Sequence, residues 1–365
     1  MMTSRQRFLS VLNGEQPDRP PIFANLTPQA AEKLSNAVGV HYEPPVDSML
    51  STRISHPNLL TTLGNDCVGI AANAPDDFPT RTLTNGLIEN EWGMKFKNVG
   101  LYNEFAEFPL AHAENAVDIE NYNFPDPFAA GRYRSALETN EKYGDTHGII
   151  ADLETSFFET AWYLVGLEKL LMDMMAGADY VPVLFDKIMG INIDIGKKLI
   201  EIGADMIWCG DDFGSQDGML ISPELWRELF KPRIKYMFEH FKSVNPDVKL
   251  AWHSCGSIVP IIPDFIDIGL EVLNPLQPLA KSMDPDFIKS NFGKDLIFFG
   301  GIDIQELLPH ATPEQIHAEV SHISKILGKN GGYIIAPAHN IQDDTPVENV
   351  LAFFEAAKRP PQKAS

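Results

Sequence analysis

The chain has 365 residues, 44% of them apolar, and a formal charge of −21 at neutral pH. That length suits one large α/β domain or two ordinary ones, and the charge excludes the basic footprint that nucleic acid or an anionic membrane demands. Three cysteines are too few and too odd for a disulfide framework, which points to a reducing, cytoplasmic setting.

The first segment, with Phe8, Leu9, Val11 and Leu12 on one side, reads as an amphipathic helix ending near Gly14. The run "PDRPP" then forces an extended exit into "IFANL". It carries acidic residues and no continuous apolar core, so it does not read as a signal peptide, and no later run reaches the roughly 18 apolar residues of a membrane span. From Thr27 to about Glu141 the pattern is mixed, with strand candidates such as "GLIENEWGMKFKNVG" between Pro-rich connectors. A hairpin or small sheet with some helix is expected there.

From Gly148 the chain becomes regular. Six short apolar runs, "GIIADL", "ADMIWCG", "VKLAWHSC", "EVLNPLQP", "LIFFGG" and "GYIIAP", alternate with helical stretches such as "GLEKLLMDMMAG" and "TPEQIHAEVSHISKILGKN". Alternation of strand and helix marks a parallel sheet. With further strands from the first third, the expectation is an α/β fold, a distorted (β/α)8 TIM barrel with an irregular N-terminal extension. It would form a single domain over 1–365: first elements in 1–147, regular βα repeats in 148–357 and a polar tail, "KRPPQKAS", over 358–365. No glycine-rich phosphate fingerprint follows a strand, which disfavours the doubly wound alternative.

Polar residues gather where these strands run out: Asp211 and Asp212, His253 and Cys255, Asn274 and Gln277, Asp303, His339 and Asn340. In an α/β barrel such ends share one face, where the βα loops build the active site, so the pattern argues for an enzyme. His253 and Cys255 stand two apart, on one side of a strand. A metal pair, a thiol with its base, and two neighbouring core residues all remain open for them. With His339 from another strand end, the three suit Zn²⁺, with a fourth position left for substrate. Cys67 and Cys209 read as core, in keeping with the burial of free cysteine. Asp211 or Asp212 could be catalytic or merely cap a helix, and adjacent residues point oppositely, so at most one of them faces the site. Glu154 follows the "GIIADL" strand closely enough to be a ligand or general base, whereas Glu159 falls in the next helix and reads as structural. Trp252, Phe157, Phe158 and Trp162 are candidates for apolar pocket walls or ordinary core.

The segments "TSRQRFLSVLNGEQPDRPP", "FFETAWYLVGLEKLLMDM", "GDDFGSQDGMLISPELWRELFKPRIKYM", "HSCGSI", "NPLQP", "FFGGIDIQELLP" and "GGYIIAPAHNIQDDTPVENVLAFFEA" resemble, in order and over nearly the whole chain, the uroporphyrinogen decarboxylase superfamily. The resemblance implies a distorted (β/α)8 barrel and one of two chemistries. The decarboxylases hold a substrate with eight carboxylates through an arginine-containing run after the first strand. Here that place reads "PIFANLTPQAAEKL", with no arginine between Arg19 and Arg53. The zinc-dependent methyltransferases of the superfamily match better. They bind zinc through His-x-Cys, matched by His253 and Cys255, and through a cysteine after the last strand, where this chain has His339. The implied activity is methyl transfer between a small substrate and a corrinoid, with Asp211, Asp212 and Glu154 as catalytic candidates and Asn274, Gln277, Asp303, Asn340 and Trp252 as substrate contacts. No DxHxxG corrinoid pattern occurs, and "DTHGII" has the wrong spacing, so the cobalamin is expected on a separate partner protein. The decarboxylase relatives imply a homodimer. Two competing readings are a metal-free decarboxylase or lyase using Asp211 and His339 on a smaller acid, with Cys255 dispensable, and a non-catalytic binder on the same fold.

Overall fold

The structure is a computed structural model, which describes residues 2–46, 48, 50, 52–98, 103–153 and 155–360. Seven parallel strands form one curled sheet: β1 (Cys67–Ile70), β6 (Gly148–Asp152), β7 (Met206–Gly210), β8 (Lys249–His253), β9 (Val272–Leu276), β10 (Ile297–Ile302) and β11 (Tyr333–Pro337), in that spatial order. All six apolar runs of the regular region are strands, and helices such as Leu167–Ala176, Tyr180–Ile202, Lys231–Val244 and Pro313–Leu327 separate them. The stretch starting at Pro223 is two helices, Pro223–Leu229 and Lys231–Val244, joined at Phe230, because Pro232 suits only a first helical turn.

Side chains alternate between two apolar layers. In β8, Leu250 and Trp252 pack outward under the helices, while Ala251 points inward with Met206, Ile150, Val272 and Ile334 from neighbouring strands. The helix Ser4–Leu12 closes the amino end of this inner layer with Phe8, Val11 and Leu12. Gly148 makes room for it, since a Cβ there would lie 2.0 Å from Phe8 Cδ1. Full burial of each such side chain stabilises by roughly 1.5–3 kcal/mol.

The exit after "PDRPP" is held by charge. Asp66, fully buried, accepts from Arg7 Nη1 and Arg19 Nη1, both at 2.6 Å, and from the Ile22 N–H at 2.8 Å. Two guanidiniums and a backbone donor compensate the carboxylate's lost hydration. Residues 21–26 thereby run beside the last strand: Phe23 N–H donates to the Ile335 carbonyl, Ile335 N–H to that of Pro21, and Asp66 N–H to that of Ile22.

The mixed region contains a four-stranded antiparallel sheet, β2 (Arg81–Thr82), β3 (Ile88–Glu89), β4 (Lys95–Asn98) and β5 (Asn103–Glu107). Its Phe105 packs on Tyr163 and Trp162 beside the carboxyl end of the curled sheet. Among the described residues no helix is long and apolar enough to cross a membrane.

Candidate metal centre

The inward parity of β8 brings His253 to the carboxyl end of the sheet, and the next turn brings Cys255 beside it. Cys255 Sγ lies 3.4 Å from His253 Nε2. Asp212, from the turn after β7, completes the group: its Oδ1 is 3.4 Å from His253 Nε2 and accepts the Cys255 N–H at 2.7 Å. One donor atom each from Asp212, His253 and Cys255 lies within 4.8 Å of the others, the one such group of three among the described residues.

Hydrogen bonds fix which histidine nitrogen faces this group. Asn274 Nδ2 donates to the Phe299 carbonyl at 3.2 Å, so its Oδ1 is the atom turned to His253 Nδ1, at 2.7 Å. An amide oxygen only accepts, and Nδ1 therefore carries the proton. Nε2 presents its lone pair to Cys255 and Asp212. Burial pushes the His253 pKa down, against the pull of Asp212, with Arg53 adding to the decrease, and the ring stays neutral. A neutral, oriented imidazole with a partner on its far nitrogen is the arrangement metal-ligating histidines use.

The thiol is in the opposite situation to a free nucleophile. Burial, then Asp212 and Glu159, push the Cys255 pKa well up, so without a cation it stays protonated. A nucleophilic thiolate needs a positive neighbourhood, and the acidic one here disfavours the Cys–His pair. Carboxylate, imidazole and thiol together suit a divalent ion of the zinc type, which deprotonates a coordinating thiol.

The remaining expected residues fall into distinct places. Asp211 turns away from the group. Fully buried, it accepts from the N–H groups of Ser156, Phe157 and Glu159 at 3.3, 3.1 and 2.9 Å. It thus caps the helix Phe158–Val165 from another element. Burial raises its pKa to about 7 against those backbone bonds. Asp212 is the member of the pair that reaches the site. Gln277 Oε1 accepts the Gly256 N–H at 2.8 Å and holds the turn after Cys255. That turn requires glycine, with φ at +79° and the Gly214 carbonyl carbon 2.5 Å from any Cβ. Asp303 Oδ2 accepts from Glu306 and Leu307 N–H at 2.7 and 2.8 Å and shapes its own loop.

Trp252 is fully buried among Phe213, Phe238 and Phe265 on the outer side of the sheet, and Phe157 and Phe158 join the neighbouring cluster around Phe230. None of the three lines the cavity beside His253. His339 stands at the rim, its ring centre 6.3 Å from that of His253, outside the group of three. Desolvation, then His253 and Arg53, push its pKa down to about 4. Glu154 lies outside the described residues.

The cavity beside His253 is walled by Phe23, Trp208 and Phe299 and bordered by Arg53, His339 and Asn340. Arg53 sits 4.9 Å over the Trp208 ring and pairs with Asp152 through Nη2–Oδ1 at 2.5 Å and Nε–Oδ2 at 3.1 Å. Sequence reasoning missed Trp208, Asp152 and Arg53. Strand parity was a usable signal for the first two, since Trp208 shares its face with Met206, and Asp152 its face with Ile150.

The uroporphyrinogen decarboxylase (URO-D) family profile matches residues 103–360, and the chain belongs to that family. A methylcobamide:CoM methyltransferase (MtbA) of Methanosarcina mazei is 24% identical over 361 residues, 98% of each chain. A methylated-thiol–coenzyme M methyltransferase of the same organism is 24% identical over 247 residues, 66% of this chain and 63% of the relative. A uroporphyrinogen decarboxylase of Trichormus variabilis is 25% identical over 160 residues, 44% of this chain and 42% of the relative. A solved methyltransferase from Methanosarcina mazei superposes with a TM-score of 0.70 at 23% identity, covering 98% of both chains. That likeness establishes a shared α/β fold built on a parallel sheet.

Proposed function

We propose that the protein is a zinc-dependent methyltransferase that moves a methyl group between a small substrate and a corrinoid carried by a partner protein. The observation that carries this reading is the convergence of Asp212, His253 and Cys255, with Asn274 fixing the histidine tautomer. Support comes also from a relative matched over 98% of each chain that acts on a methylcobamide by name. The hydrogen bonds of residues 21–26 to β11 and to the chain before β1 favour an eight-stranded closed barrel, and we assign the chain to one domain of that kind.

Zinc would be held by His253 Nε2, Cys255 Sγ and an Asp212 oxygen, and when bound it supplies Lewis acidity toward a methoxy oxygen or a thiol at the remaining position. The chain's own part is placement. Asn274 holds the imidazole, Gln277 holds the turn behind Cys255, and Asp212 ties the Cys255 backbone to the preceding strand's turn. Phe23, Trp208 and Phe299 give the substrate an apolar wall, while Arg53 and Asn340 border its polar end. His339, neutral at the rim, is within range of a group bound over the centre and is assigned to substrate contact or to a ligand that closes in on loading.

Metal analysis of protein isolated without chelator, beside His253→Ala, Cys255→Ala and Asp212→Ala, tests the site. About one zinc per chain is expected, lost in the first two variants and held more weakly in Asp212→Ala. Demethylation of methylcobalamin, followed by its absorbance with a panel of thiols, and methylation of reduced cobalamin by methoxy donors test the activity. No zinc after reconstitution and no methyl transfer in either direction would overturn the proposal in favour of the metal-free lyase.

A further inference from the structure

The two acidic residues after β7 and the start of the helix Phe158–Val165 are joined by bonds running both ways. Asp211 accepts the Glu159 N–H at 2.9 Å, and Glu159 Oε2 accepts the Asp212 N–H at 3.3 Å. The other Glu159 oxygen accepts from Tyr163 Oη at 3.1 Å, one turn along the same helix. On the far side, Ser254 Oγ accepts the Phe213 N–H at 2.9 Å. The backbone of Asp212 is therefore gripped before and after the residue, while its side chain holds the Cys255 N–H.

Nothing in ordinary helix architecture requires Glu159 to face inward. Its first-turn position would place it equally well in water, where it would favour the helix dipole at no desolvation cost. It is instead half-buried and turned toward the loop after β7, with one oxygen on the Asp212 N–H and the other on Tyr163 Oη. With both oxygens committed to these donors, the residue is better explained by the geometry it imposes on the Asp212 backbone than by helix stability.

We infer that Glu159 is a positioning residue for the metal centre: by accepting the Asp212 N–H it sets where the Asp212 carboxylate stands relative to His253 and Cys255. The inference rests on the zinc reading above and concerns a residue outside that group of three, bonded to the backbone of one of its members. Partners behind a metal's ligands typically account for about 10–100-fold in affinity. Glutamine retains the required contacts, since its oxygen can accept the Asp212 N–H and its amide can donate to Tyr163 Oη. Alanine removes both, and aspartate, one methylene shorter, keeps the carboxyl group but falls short of the Asp212 N–H.

The test measures zinc affinity by chelator competition and the visible spectrum of the Co²⁺-loaded protein, for wild type and for Glu159→Ala, Glu159→Gln and Glu159→Asp, with thermal melting alongside. A merely structural role would shift melting and leave the cobalt bands of folded protein unchanged. The expected result is about tenfold or greater loss of affinity with altered cobalt bands in Glu159→Ala and Glu159→Asp, and a change below about threefold in Glu159→Gln. Should Glu159→Ala fail to fold, the comparison of Glu159→Asp with Glu159→Gln decides. Equal affinity in all folded variants, or Glu159→Gln as weak as Glu159→Asp, overturns the inference while leaving the zinc site standing. A wild type that binds neither metal overturns the zinc reading and this inference with it.

Discussion

Replacing Asn274 by leucine removes the acceptor of the His253 Nδ1 proton while nearly preserving side-chain volume. His253 is 8% exposed and Asn274 3%, so water is a poor substitute. A buried N–H left without a partner costs about 1–3 kcal/mol. The ring escapes that cost by moving its proton to Nε2, the nitrogen that faces Cys255 and Asp212. Metal binding must then reverse the transfer, so the penalty falls on affinity. Loss of about 10–100-fold follows, equivalent to roughly 1.4–2.7 kcal/mol. Asn274→Asp keeps an acceptor for the Nδ1 proton, though its second oxygen then faces the Phe299 carbonyl, so it should cost stability while holding zinc more tightly than Asn274→Leu. Zinc competition against a chromophoric chelator measures both. Affinity in Asn274→Leu within twofold of wild type, in folded protein, would refute the tautomer argument.

Asp211 should make stability depend on pH. Its folded pKa of about 7 exceeds its ordinary value of 3.8, so between these limits the folded state binds more protons and stability falls as pH rises. Relative to Asp211→Asn, wild type should lose about 3–4 kcal/mol between pH 4 and pH 7 in urea titrations, and a flat difference would contradict this. In the metal-free protein, Cys255 should resist iodoacetamide at pH 8, because its thiol titrates well above the usual range; rapid alkylation with a thiolate-like profile near neutrality would favour a nucleophilic cysteine. Removing either partner of the Arg53–Asp152 pair should cost about 3–5 kcal/mol, since an uncompensated charge stays behind. The double replacement should cost clearly less than the sum of the two single ones, and strict additivity would show that the pair does not interact.

The regular half of the fold was legible because each strand from Gly148 onward is a short apolar run bounded by turn residues, flanked by helices of 3.6-residue period. Before it, the expected small sheet with some helix is present, and Ile88–Glu89 and Lys95–Asn98 fall in the quoted stretch, but the element bounds were not legible, because the Pro-rich connectors carry no period and the strands have only two to five residues. In the site, His253 and Cys255 were visible from their spacing, and the structure sets them side by side. Asp212 could not be told from Asp211, since strand parity ends at Gly210 and the choice is made by which backbone N–H groups lie nearby. Trp252 shows parity neglected: one position from His253, it had to face the other way. Glu159 was read from helix position alone, and what turns it inward is the N–H of a residue 53 positions later. Arg53 comes from the irregular region and meets Asp152 across 99 residues, a pairing that local pattern does not encode.

The measurement that tests the central claim most directly is zinc K-edge X-ray absorption on the reconstituted protein. The account predicts about one zinc per chain with a single sulfur scatterer near 2.3 Å and nitrogen or oxygen filling the other positions. In Cys255→Ala that sulfur shell should vanish. A zinc shell of nitrogen and oxygen alone in the wild type, or one unchanged by the loss of Cys255, would place the metal elsewhere and contradict the account.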